Sequence, residues 1–201
     1  MTLNNSNIQQ LVLLVGLLFC FSCSNEVEKP EQKVESKNQE KKLFPFYKRI
    51  ELKPGFNFEI LSWGIGPDSI GAYQILMSDS VKNNYKSISV ERQGIITDAW
   101  NMDLDNDGNA EIYIEINKNK KPTDLNVFEY VNGGFNRINF PSLNTTQKKI
   151  YKGNDKFFIK NGNLYRTFNV IDETDSAKTT LKTLEYKLGG NSFSSAEIKP
   201  E

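Results

Sequence analysis

The chain has 201 residues, with 25 Lys or Arg balanced by 25 Asp or Glu, no His and two Cys. Zero formal net charge gives no basic footprint for nucleic acid, so a partner would be recognised by shape and local polarity rather than by long-range steering. Without imidazole, and with Cys20 and Cys23 both near the N-terminus, the rest of the chain lacks the groups for Ser-His-Asp or Cys-His catalysis, conventional zinc sites and His-ligated haem, and a binding protein rather than an enzyme is expected.

Residues 11–21 form an apolar run that suits a signal-peptide core and is too short to span a bilayer as a helix. The stretch 18–23, Leu-Phe-Cys-Phe-Ser-Cys, resembles a bacterial lipobox, which implies a signal peptide over 1–22 and lipidation of Cys23. Residues 24–42 mix Glu and Lys with two aliphatic side chains and no aromatic one, so they cannot form a core. They read as a tether between Cys23 and a single β domain over 43–201. No Asp follows Cys23, and the resemblance therefore implies an outer-membrane lipoprotein facing the periplasm or the cell surface.

From residue 43 onward, short runs of alternating apolar and polar residues are broken by Gly, Asn, Asp and Pro, the pattern of an antiparallel β protein. Strands are expected over 56–63, 73–77, 85–91 and 95–102, then over 111–116 and 126–130. The turn Asn132-Gly133-Gly134 leads into a strand over 135–140. After an irregular stretch over 141–147 come a hairpin of 156–159 and 164–170 about Asn161-Gly162, and a second of 179–188 and 192–198 about Gly189-Gly190-Asn191. The fold class expected is all-β, an antiparallel sandwich or partly open barrel of about eight to ten strands. No disulfide is available to it, so its core alone must hold it together.

The sharpest local motif is residues 103–111, Asp-Leu-Asp-Asn-Asp-Gly-Asn-Ala-Glu. Asp103, Asp105 and Asp107, with Glu111 at the ninth position, offer only oxygen donors, which suits a hard cation such as Ca²⁺. An EF-hand is excluded, because its twelfth position is Ile114 and a strand follows. The same residues read first as a solvated turn in which Asp side chains accept backbone N–H bonds and Gly108 takes a positive φ. Carboxylates on such a turn lack the apolar surroundings that make a glycosidase acid. Trp63, Tyr73 and Trp100 could line a ligand cleft, but on alternating strands they read first as core.

Four stretches, in order, resemble the periplasmic inhibitors of invertebrate-type (I-type) lysozyme. They are 69–73 (Ser-Ile-Gly-Ala-Tyr), 92–95 with the Asp-rich turn, 151–157 (Tyr-Lys-Gly-Asn-Asp-Lys-Phe), and 162–168 (Gly-Asn-Leu-Tyr-Arg-Thr-Phe) followed by 183–188. The resemblance implies an antiparallel sandwich of about eight strands and inhibition of a lysozyme by a loop inserted into its substrate cleft. It points to Ser69, Gly71 and Tyr73 as partner-binding candidates. The family's inserting loop corresponds to residues 117–124, where Lys118, Lys120 and Lys121 stand instead and would pair with a lysozyme's acidic cleft residues. The second expectation is a calcium-stabilised envelope domain that binds another protein or a glycan.

Overall fold

Period-two alternation buries one face of each strand, and Asn-Gly turns fold neighbouring strands back on one another. The computed structural model, described over residues 44–64, 71–118 and 121–198, shows that alternation most clearly over 71–79 and 163–171. Twelve strands run in sequence: β1 (Phe46–Lys53), β2 (Phe56–Trp63), β3 (Gly71–Asp79), β4 (Asn84–Arg92), β5 (Ile95–Met102), β6 (Glu111–Asn117), β7 (Asp124–Val131), β8 (Gly134–Ile138), β9 (Tyr151–Lys160), β10 (Asn163–Ile171), β11 (Thr179–Gly189) and β12 (Ser192–Ile198). They form three antiparallel four-stranded meanders, β1–β4, β5–β8 and β9–β12. The turns that close β7–β8 and β9–β10 have both central residues at positive φ, Asn132 and Gly133 at 52° and 77°, Asn161 and Gly162 at 51° and 78°. Their handedness matches the twist of the strands they join.

The second sheet is buried on both faces, which is why β6 and β7 carry so few exposed side chains. Ile112, Ile114, Ile116 and Phe128 face the first sheet and pack with Phe58, Ile60, Tyr73, Ile75 and Met77. Tyr113, Leu125 and Val127 face the third sheet and pack with Leu164, Phe168, Val170, Leu184 and Tyr186. Each wholly buried Phe or Ile contributes about 1.5–3 kcal/mol through apolar burial. The fold is thus all-β and sandwich-like, with no closed barrel among the described residues, and it has twelve strands where about eight to ten were expected.

Two elements depart from the sequence reading. β1 pairs with β2 through the turn at Pro54 and Gly55, and its inward residues Phe46, Ile50 and Leu52 belong to the first core. A helix, α1 (Thr145–Ile150), begins inside the stretch 141–147 read as irregular and runs past it, starting with a reciprocal capping box between Asn144 and Gln147. No helix among the described residues is long and apolar enough to cross a membrane. The expected signal peptide, Cys23 and the expected tether lie outside the described residues.

Candidate metal centre

β5 ends at Met102 and β6 begins at Glu111, so the Asp-rich stretch is the connection between two adjacent strands of the doubly buried sheet. Asn106 and Gly108 take positive φ, 59° and 88°, and turn the chain tightly enough to bring alternate side chains to one side. Part of the loop is held as an Asx turn. The Gly108 N–H donates to Asp103 Oδ2 at 3.1 Å, and the Asn109 N–H donates to Asp107 Oδ1 at 2.8 Å. Glu111 also accepts a backbone N–H of this loop, that of Leu104, through Oε2.

One carboxylate oxygen from each of Asp103, Asp105, Asp107 and Glu111 lies within 4.8 Å of the others. Glu111 is wholly buried. Its Oε2 accepts from the Leu104 N–H at 2.9 Å and from the Tyr113 hydroxyl at 3.1 Å, while its Oε1 and Asp105 Oδ1 are buried and accept no hydrogen bond. Burial pushes the Glu111 carboxyl up from 4.5 to about 7; the two donors oppose this, and the neighbouring Asp105 and Asp103 add to it. Trp100 stacks on Tyr113 with ring centroids 5.5 Å apart, so the hydroxyl that orients Glu111 is itself fixed by the second core.

A fifth acid joins the cluster from β7. Glu129 stands directly across from Glu111 in the strand register, is 4 % exposed, and has its carboxyl raised by burial and then by the fields of Asp107, Asp105 and Asp103. The sequence motif does not reveal it, because the pairing of β6 with β7 decides which residue on β7 meets Glu111. Glu111 and Glu129 are buried, Asp105 is half-buried and Asp103 and Asp107 are exposed; carboxylates this close repel one another, and burying a charge without a counter-ion costs several kcal/mol. The donor set is all oxygen, with neither nitrogen nor sulfur, and suits a hard divalent cation.

No family model matches this chain, and no curated protein does.

The other candidate residues do not form one site. Gly71 and Tyr73, partner-binding candidates, are both buried. Tyr73 is wholly buried, and its hydroxyl accepts from Asn126 Nδ2 at 2.8 Å across the first two sheets. Gly71 seats Arg92, since a Cβ there would stand 2.9 Å from the guanidinium, which in turn donates to the Trp63 carbonyl at 2.9 Å. Lys118 is paired with Asp124 at 2.7 Å, and Lys121 lines a polar cavity. Ser69 and Lys120 lie outside the described residues. Of the aromatics, Trp63 is 39 % exposed and Trp100 packs against the second core.

Two of the stretches that carry the family resemblance meet in the interior. Arg166 Nε donates to Asp155 Oδ1 at 2.7 Å, and both side chains are 1 % exposed. The guanidinium lies over Phe157 and Phe168, at 5.2 Å and 5.6 Å from their centroids. Asp155 Oδ2 accepts from the Thr123 N–H at 3.1 Å and from the Tyr151 hydroxyl. These residues act here as scaffold.

Proposed function

We propose that this chain is an exported, lipid-anchored, non-enzymatic binding domain of the cell envelope whose β scaffold is locked by Ca²⁺. The supporting observation is the buried Glu111 Oε1, unpartnered and beside Asp105 Oδ1 within the four-carboxylate cluster. Asp103, Asp105, Asp107 and Glu111 would hold the ion, and its charge would neutralise carboxylates that otherwise repel across the β5–β6 connection. It would pin two strands of the sheet on which both cores rest. The test is thermal unfolding of the full chain with Ca²⁺ and with chelator. At Ca²⁺ about 100-fold above its Kd, the melting temperature should rise by about 5–10 °C. Asp105→Ala should abolish that rise, and an unchanged melting temperature in the native chain refutes the reading.

A second reading, inhibition of a lysozyme, rests on the Lys-rich β6–β7 connection, where Lys121 has no ion-pair partner among the described residues. Assays against I-type, chicken-type and goose-type lysozymes decide it. Tight inhibition of one class, lost on Lys120→Ala with Lys121→Ala, supports it, and no inhibition of any class removes it.

A further inference from the structure

At the far end of β6 from the acidic cluster, a cavity of about 550 Å³ opens between the β6–β7 connection and the start of β9. Its lining includes Lys121, Thr123, Tyr151, Lys152, Asn154 and Asp155. The cavity exists because β9 is irregular here. The register with β10 shifts twice between Thr167 and Val170, and Gly153 and Asn154 both take positive φ, 88° and 60°. Such bulges re-aim side chains, and this one turns Lys152 and Asn154 away from a regular ladder.

Among the described charged residues at the cavity, two lack an ion-pair partner. Asp124 is neutralised by Lys118. Asp155, the carboxylate in the lining, is neutralised by Arg166 at 2.5 Å, and both its oxygens already accept hydrogen bonds. Glu115, raised by burial, does not line the cavity and accepts from Thr97 Oγ1 at 2.8 Å. Lys121 and Lys152 remain, with no ion-pair partner among the described residues. The cavity is therefore cationic in a chain whose net charge is zero.

We infer that this cavity is a second binding site, separate from the metal centre, for an oxyanion carried on a small hydroxylated molecule of sugar size. Lys121 and Lys152 supply the charge, as flexible point charges suited to phosphate or carboxylate. Thr123, Tyr151 and Asn154 offer polar groups to hydroxyls. The volume falls within the range of small-molecule sites and exceeds what a bare phosphate would fill. The lining is polar, which excludes an apolar ligand.

The test is calorimetric titration of the full chain with glucose 6-phosphate, glucuronate, inorganic phosphate and uncharged glucose. One of the two charged sugars should bind saturably, and which one distinguishes phosphate from carboxylate. Glucose should not bind, and Lys121→Gln with Lys152→Gln should weaken binding by at least about tenfold. Lys118→Gln, which removes a cation already matched by Asp124, should leave it unchanged. The inference is overturned if neither charged sugar binds below about 10 mM, if glucose binds equally well, or if the double variant retains full affinity. Folding of the surface variants is checked by their unfolding midpoint.

Discussion

The two ends of β6 solve opposite electrostatic problems. At its C-terminal end Asp124 has Lys118 and the buried Asp155 has Arg166, while Glu115 accepts a hydrogen bond from Thr97. At its N-terminal end Asp103, Asp105, Asp107, Glu111 and Glu129 gather without any, and two of their buried oxygens accept no hydrogen bond. Both ends belong to the same doubly buried sheet, so poor packing does not account for the difference. The proposed ion would supply at the acidic end the counter-charge that Arg166 supplies at the other.

The comparison breaks most sharply at Arg166. Replacing it with Met leaves Asp155 charged and buried, and unfolding should become easier by about 3–5 kcal/mol in urea titration, with or without Ca²⁺. The acidic end should respond in the opposite sense. Because burial holds the folded Glu111 carboxyl at about 7 against 4.5 when unfolded, its contribution to the metal-free protein is complete below pH 4.5 and is lost as pH rises through 7. That loss is on the order of 3 kcal/mol at most. Unfolding midpoints measured from pH 5 to 8 in chelator should show this decline, and saturating Ca²⁺ should remove it. Glu111→Gln should therefore match or exceed the native chain in chelator at pH 8 and gain nothing from Ca²⁺. The smallest effect is expected at Lys118→Ala, which opens a half-exposed pair and should cost less than about 1 kcal/mol.

Much of this architecture is legible in the sequence, for reasons that differ along the chain. β2 matches its expected bounds because Gly55 and Gly64 delimit it and apolar residues alternate with polar ones from Phe56 to Ile60. β1 is hidden because Lys48 interrupts its inward face of Phe46, Ile50 and Leu52, and Arg49, Glu51 and Lys53 line the other, directly after a charged stretch. α1 is hidden because one and a half turns bury no residue, so no apolar period marks it, although Asn144 and Gln147 carry its capping signature. The acidic loop was readable because its four acids lie within nine residues. Glu129 and the cationic cavity were not, because one depends on strand register and the other on a bulge, and neither leaves a contiguous motif.

The central claim is that the acidic end of β6 is a metal site, and calorimetric titration of the chelator-treated full chain with Ca²⁺ at pH 7 tests it most directly. The account predicts saturable binding of one ion per chain, with heat that varies with buffer as Glu111 gives up its proton, and its loss in Glu111→Gln. Absence of saturable heat at millimolar Ca²⁺, or full binding in that variant, would contradict it.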